Sequence, residues 1–238
     1  MPEVIGVVVV AGGGSRRMAG VDKLWLPVAG RPLLEHTLLA LVALPELTRV
    51  VLVVSPDGRR RVAERRASAA SAASAPWDAL HAVVDGGAER ADSVYAGLRA
   101  LGACDLVLIH DGARPLVTPE LVRAGLTAAR RHGAAVPALP VTDTIKRVDE
   151  AGRIVATPDR AALRAVQTPQ VFRHDLLLAA YEAAGAERAA STDDATLLEQ
   201  GGHPVYTYPG DPRNIKVSTP ADLPLVSLYL TESMVDSR

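Results

Sequence analysis

The stretch VIGVVVVAGGGSRRMAGVDK, Val4–Lys23, decides the fold. Val4–Val10 is a short apolar run dominated by valine, with no alternating polar positions, so it reads as a strand buried on both faces in a parallel sheet. After Ala11 come three consecutive glycines, Gly12, Gly13 and Gly14, then Ser15, Arg17 and Lys23. Glycines let backbone N–H groups come close to a phosphate, and Arg17 and Lys23 add positive charge beside them. Open α/β sheets bind ligands beyond the C-terminal ends of their strands. The stretch therefore reads as a strand feeding a triphosphate-handling loop.

Other uses of a glycine-rich loop separate on spacing. A dinucleotide fingerprint has Gly12 and Gly14, but Arg17 replaces its third glycine, and no acidic residue ends a second strand near Arg31. A Walker loop ends in Gly-Lys-Ser/Thr, whereas Lys23 is followed by Leu24. The plain alternative is a glycine-rich βα turn with solvated arginines.

The chain has 238 residues, enough for one large α/β domain. Hydrophobic residues make up 48% but aromatics only 3%, so the core must be built from Ala, Val and Leu. A net charge of −1 gives no global attraction to nucleic acid or to an acidic membrane surface. Cys104 is the only cysteine, which excludes an internal disulfide and leaves no cysteine zinc site. His36, His81, His132, His174 and His203 share no metal-ligand spacing and read as structural or exposed. With no 18-residue apolar run and no basic leader before Val4, the expectation is a soluble cytoplasmic protein.

Further apolar runs are Val50–Val54, Ala82–Val84, Leu106–His110 and Ala135–Leu139. Helical segments separate them: Leu33–Leu44 with Pro32 at its first position, Arg59–Arg66, Arg90–Leu101 and Thr118–His132. Strands alternating with helices predict a doubly wound, mostly parallel twisted sheet flanked by helices, in one domain spanning the chain. The rhythm breaks at Thr144. Thr144–Val148, a turn through Gly152, and Arg153–Thr157 read as a β-hairpin, an arm over roughly 142–163 that projects to dock on a partner subunit. The α/β pattern resumes with Val166–Phe172, a helix from Asp175, Asp194–Gln200, a strand Val205–Tyr208, a short strand Ile215–Val217, and a last helix after Pro220. Ala67–Ala75 is low-complexity and reads as a helix end plus surface loop.

Charged clusters sit where strands should end. Gly86–Ser93 offers backbone groups and the Ser93 hydroxyl to a base edge, or is an ordinary helix entry with Asp92 or Ser93 near the cap. In His110–Pro115, Asp111 is placed to help hold Mg²⁺ and Arg114 to pair with a carboxylate or phosphate; a structural Asp–Arg pair fits as well. Arg160 with Thr168 suits a small phosphorylated molecule, and a solvated loop arginine is the alternative. Thr192 adjoins them, with N-capping of the next helix as its simpler role. Lys216 is either on a solvated strand face or a charge aimed into the cleft.

Taken in order, these clusters resemble the 2-C-methyl-D-erythritol 4-phosphate cytidylyltransferase family of the non-mevalonate isoprenoid pathway. The resemblance covers AGGGSRRM with Asp22-Lys23, GGAERADSV (Gly86–Val94), HDGARP (His110–Pro115), PVTDTIK (Pro140–Lys146), TPQ (Thr168–Gln170), TDDA (Thr192–Ala195) and NIKV (Asn214–Val217). The first loop is common among nucleotidyltransferases; the ordered set is specific. What the resemblance implies is a Rossmann-like fold and transfer of CMP from CTP to the phosphate of methylerythritol phosphate, with Mg²⁺ and release of pyrophosphate. It implies that Ala11, Gly12, Gly13, Gly14, Ser15 and Arg17, with Lys23, meet the triphosphate, and that Gly87 and Ser93 meet the cytosine. Asp111, Arg114, Thr168, Thr192 and Lys216 fall at the acceptor or reacting phosphate, and Thr144 and Arg160 match positions that family dimers supply from the neighbouring arm. Arg17, Lys23 and Lys216 are then the catalytic set.

Ribitol-phosphate cytidylyltransferases share much of this pattern, and molybdenum-cofactor guanylyltransferases share the first loop. Arg160, Thr168 and Thr192 favour methylerythritol phosphate over ribitol phosphate. A non-catalytic nucleotide-binding module is the reading from a different class; it needs neither Lys216 nor an acceptor cluster.

Overall fold

The computed structural model describes residues 2–13, 22–67, 75–191 and 193–236. Valine dominates the first strand because both its faces are covered: Val7, Val8 and Val9 are all fully buried. Val7 and Val9 belong to one core with Leu34 and Leu38 of the first helix, while Val8 belongs to a second core with Val94 and Leu98. Side chains that alternate across a strand thus feed two helix layers, one on each face of the sheet.

The first half runs β1 (Ile5–Ala11), β2 (Pro27–Val28), β3 (Arg31–Pro32), α1 (Leu33–Val42), β4 (Arg49–Val54), α2 (Pro56–Ala67), α3 (Ala75–Asp78), β5 (Ala82–Asp85), α4 (Arg90–Leu101), β6 (Leu106–Asp111) and α5 (Pro119–His132). The second half runs β7 (Ala134–Pro140), β8 (Arg147–Val148), β9 (Ile154–Ala156), β10 (Arg164–Val166), β11 (Gln170–Arg173), α6 (His174–Ala184), α7 (Asp194–Gln200), β12 (Tyr206–Pro209) and α8 (Leu223–Asp236). The main sheet has the order β10-β7-β11-β6-β1-β4-β5, and β12 also pairs with β7. β5, β4, β1 and β6 are mutually parallel, whereas β11 is antiparallel to both β6 and β7. The mostly parallel, helix-flanked sheet expected from the sequence is therefore present, with two reversed strands, β11 near its middle and β10 at its edge. No helix among the described residues is long and apolar enough to cross a membrane.

Four local expectations are corrected. Pro32 is not the first residue of a helix: it pairs with Pro27 across a two-residue turn whose Ala29 (φ 46°) and Gly30 (φ 81°) both have positive φ, and the helix starts at Leu33. That helix stops at Val42, short of Leu44. The run Val166–Phe172 is two strands, because Gln167, Thr168 and Pro169 leave β7 and cross to β6. Ile215–Val217 is not a strand: the N–H groups of Asn214 and Ile215 turn back to the carbonyls of Asp211 and Arg213. Val217 instead ties to the loop after β6 through Ala113 O at 2.9 Å.

The hairpin is where the sequence puts it. β8 and β9 pair antiparallel, and Gly152 takes the positive φ of the turn, at 80°. Val148 and Ile154 are more than half exposed on it.

Helix α4 lies close against the sheet because Gly97 has no side chain. A Cβ there would stand 2.3 Å from Val8 Cγ1 and 2.9 Å from Val53 Cγ2. Gly97→Val is expected to overpack this contact and destabilise the fold by about 1–3 kcal/mol. The effect will appear as a lower urea midpoint at unchanged slope; a wild-type midpoint contradicts this packing.

Candidate active site

The cleft forms where β1, β5 and β6 end. It has a volume of about 380 Å³ and is bordered by Gly12 and Gly13, Gly87–Arg90, Ser93, Lys23, Asp111 and Lys216. Two backbones meet at its floor. A Cβ on Gly86 would lie 2.7 Å from Ser93 Oγ, and one on Gly87 would lie 2.2 Å from Asp92 Cβ, so only glycine lets this strand end approach α4. Glu89 is the N-cap of α4, and Asp92 accepts from its N–H at 3.3 Å in a capping box, so Asp92 stands near the cap as an ordinary helix entry would have it. Ser93 lies within the helix. Its hydroxyl accepts from Gly87 N–H at 3.1 Å and donates to Glu89 O at 3.3 Å. A hydroxyl has two lone pairs and one proton, so one acceptor position remains for a ligand.

Lys23 sits on a 3-10 turn, Lys23–Trp25, whose entry is capped by Asp22 accepting from Leu24 N–H. Trp25 stacks on buried Trp77, with ring centroids 5.6 Å apart and planes 11° apart, which anchors the turn. Lys23 Nζ donates to Val217 O at 2.6 Å, so the first loop and the Lys216 segment meet across the cleft.

Asp111, the last residue of β6, is the centre of the site. Lys216 Nζ stands 2.8 Å from Oδ2, Arg114 Nε is 3.6 Å from the same oxygen, and Arg90 Nε is 3.7 Å from Oδ1. Burial works to raise the Asp111 carboxyl, but Lys216, then Arg90 and Arg114, outweigh it and hold it well below the usual carboxylate range. Thr168 Oγ1 accepts from Asp111 N–H at 3.1 Å and meets His110 Nδ1 at 3.1 Å. Asn214 Nδ2 donates to Thr168 O at 2.7 Å, and Arg114 donates to Asn214 O at 2.7 Å. Gln167 holds Asp211 at both its N–H and its carbonyl. The Lys216 segment is thus fixed by side chains rather than by sheet pairing.

The structure brings Ala11, Gly12, Gly13, Lys23, Gly87, Ser93, Asp111 and Lys216 to one cleft. Thr168 and Arg114 stand behind it, in contact with Asp111. Thr144 and Arg160 are exposed at the arm, where Arg160 donates to Thr142 O at 2.8 Å. Gly14, Ser15, Arg17 and Thr192 lie outside the described residues. The cap of α7 is Asp193, which accepts from Thr196 N–H at 3.0 Å, so that role does not fall to Thr192.

Sequence reasoning missed Arg90, Asp194, Gln167 and Asn214 as members of the site. Arg90 donates to the fully buried Asp194 at 2.8 Å, and Tyr181 Oη donates to the other Asp194 oxygen at 2.5 Å. Arg90 was readable only as a first-turn helix residue, because its partner lies 104 positions away. Among the described residues no cluster of three or more metal-ligating side chains forms. Only Asp111 and, at the border, Glu89 bring carboxylate oxygens to the cleft, which suits a magnesium ion held mostly by substrate phosphates.

Comparison with known proteins places the chain. The family profile described as IspD, 2-C-methyl-D-erythritol 4-phosphate cytidylyltransferase, matches residues 4–232. The chain is 42% identical over 231 residues to the enzyme of that name from Desulforamulus reducens, covering 97% of each. It is also 42% identical over 240 residues to the bifunctional enzyme IspD/IspF of Rhodopseudomonas palustris, of whose length it spans 58%. Among solved structures, the 2-C-methyl-D-erythritol 4-phosphate cytidylyltransferase of Thermus thermophilus superposes with a TM-score of 0.75 at 34% identity, covering 97% of this chain and 100% of that one.

His110 beneath the cleft has a measurable signature. It is fully buried, its Nε2 faces Arg114 O at 3.1 Å, and burial pushes its pKa from 6.5 down to about 4. The folded state therefore holds it neutral, while the unfolded chain protonates it near pH 6.5. Its stabilising contribution is complete above pH 6.5 and is lost as pH falls toward 4, a change of about 3 kcal/mol. Urea unfolding at pH 7 and pH 4 should show a stability drop that is smaller by this amount in His110→Gln. Identical drops in the two proteins would contradict the assignment.

Proposed function

This chain belongs to the 2-C-methyl-D-erythritol 4-phosphate cytidylyltransferase family, and we propose that its cleft transfers CMP from CTP to the phosphate of 2-C-methyl-D-erythritol 4-phosphate, releasing pyrophosphate. The observation that carries this reading is Asp111 paired with Lys216 at 2.8 Å in the same cleft as the glycine backbone of Gly12 and Gly13. That arrangement sets fixed positive charge beside backbone that a triphosphate can approach.

A phosphate monoester has a second pKa near 6, so at neutral pH the acceptor is already mostly a dianion. One of its oxygens attacks the α-phosphorus of CTP; the new P–O bond forms as the bond to the β-phosphate breaks, and the electron pair leaves with pyrophosphate. No proton has to be removed first. The one histidine at the site fits that chemistry: His110 is buried, and its ring nitrogens face Thr168 and Arg114 O. The task for the protein is to position two anions in line and to neutralise them. Lys216 and Lys23, both in the cleft lining and joined through Val217 O, are assigned to do so, and Arg17 is assigned to the same α-phosphate. Ala11, Gly12, Gly13, Gly14 and Ser15 are assigned to the triphosphate. Asp111 would hold a Mg²⁺ ion together with the substrate phosphates, and the ion would supply further neutralisation of charge on the leaving pyrophosphate.

Gly87 and Ser93 are assigned to the base. Cytosine presents an amino donor where uracil presents an acceptor, and the open lone pair of Ser93 Oγ can receive a donor only. Asp111, Arg114, Thr168 and Thr192 are assigned to the acceptor side, joined by Thr144 and Arg160 from the arm of a second copy of the chain. The homodimer is supported by the arm itself. A two-stranded hairpin is marginal alone in water, yet this one displays Val148, Ile154 and Val155 to solvent. A cytoplasmic location accords with a reaction among small phosphorylated metabolites.

The deciding assay is pyrophosphate release with CTP and Mg²⁺. Methylerythritol phosphate should be turned over and ribitol phosphate should not, and UTP should be about tenfold or more poorer than CTP. Lys216→Ala should lose about 10²–10³ in kcat while remaining folded. Near-normal turnover by that folded variant, or a preference for ribitol phosphate, would sink the assignment. Val148→Asp with Ile154→Asp should convert a dimer to a monomer in sedimentation and raise the acceptor KM; an unchanged mass would remove the arm's role.

A further inference from the structure

The cleft residue left without a role in this reading is Arg90. It borders the cleft one turn from Ser93, and its guanidinium reaches two carboxylates at once: Asp194 at 2.8 Å through one terminal nitrogen and Asp111 at 3.7 Å through Nε. Asp194 has no exposed surface, and its second oxygen takes the Tyr181 hydroxyl at 2.5 Å. A charge buried in this way must be paired, so Arg90 is held to Asp194 as its anchor. Burial opposes the Arg90 charge, and the two carboxylates outweigh it, so the guanidinium stays protonated throughout the working range.

Contacts continue from there in a closed circuit. Next to Asp194, Asp193 accepts from Gln170 Nε2 at 3.4 Å. Gln170 is two residues from Thr168, whose hydroxyl takes the Asp111 N–H at 3.1 Å. From Asp111 the circuit returns to Arg90. Every member except Arg90 comes from β6, from β11 and the turn leading into it, or from the cap and first residue of α7. Arg90 alone comes from α4, the helix that carries Ser93 on the base side.

We infer that Arg90 is a positioning residue for the acceptor, a link from α4, on the nucleotide side, that reaches both the Asp111 carboxylate and the Asp193–Asp194 turn. It acts through Asp111 and Asp194, and the inference rests on the CMP-transfer reading above. A lysine cannot replace it, because a single ammonium cannot span two carboxylates as a planar guanidinium does.

The test compares wild type, Arg90→Lys and Tyr181→Phe. The last of these leaves the cleft untouched and removes only the hydroxyl that steadies Asp194. Each is checked for folding by its thermal transition, then assayed for pyrophosphate release with CTP and methylerythritol phosphate varied separately. Displacing reacting groups by about an ångström costs up to ~10²-fold in rate. Arg90→Lys should accordingly lose about 10²-fold in kcat/KM for the acceptor with the KM for CTP unchanged, and Tyr181→Phe should shift the same constant in the same direction by less. A lower thermal transition with both kinetic constants at wild-type values means a merely structural link and overturns the inference. Equal losses toward CTP and acceptor overturn it too. A folded wild type that releases no pyrophosphate overturns the CMP-transfer reading as well, so the two failures are distinguishable.

Discussion

A carboxylate at the end of a buried strand must be neutralised where it stands, and the architecture around this cleft follows from that need. Asp111 has almost no exposed surface, and an isolated charge in such a place would be strongly destabilising. Lys216, Arg114 and Arg90 answer it from three parts of the chain. Lys216 comes on a segment with no sheet pairing, so Gln167 and Asn214 hold that segment by hydrogen bonds. Thr168 arrives through the reversed strand β11, which is inserted beside β6 and brings its hydroxyl to the Asp111 N–H. The irregular features of the fold thus converge on one side chain.

The same constraint shapes the chemistry. Three cations around one carboxylate leave net positive charge at the mouth of the cleft, and the buried Asp194 tempers only Arg90. A site for two phosphorylated substrates needs that excess, because their mutual repulsion is the barrier to be overcome. It needs no proton acceptor, and the histidine closest to the reacting position is kept neutral and engaged with Thr168 and Arg114. On the proposed reading, catalysis is a matter of preorganised charge, and the Lys216–Asp111 pair is already in place without substrate.

The regular part of the architecture was legible because burial leaves a mark on composition. The short, β-branched run Val7, Val8 and Val9 points to a strand covered on both faces, and the exposed arm announced itself by breaking the α/β rhythm at Thr144. What stayed hidden was decided by contacts between distant residues. The stretch Val166–Phe172 looks like one strand because its ends are apolar; only the neighbouring β7 and β6 show that it serves both. Lys216 was read on a strand because Ile215 and Val217 flank it, whereas side-chain bonds to Asp211 and Asn214 set its course. Arg90 lies inside the Gly86–Val94 motif but had no role of its own there, since an arginine in the first turn of a helix is ordinarily solvated. Its value comes from Asp194, over a hundred residues later.

The central claim is a single in-line displacement at the α-phosphorus, with the acceptor phosphate as the nucleophile and no covalent intermediate on the protein. The configuration at phosphorus tests it most directly. With a CTP analogue made chiral by sulfur at the α-phosphorus, one displacement must invert that centre in the diphosphate product. Inversion is the expected result. Retention would require two successive displacements through a nucleotidylated side chain, and would contradict a site in which charge and position alone carry the reaction.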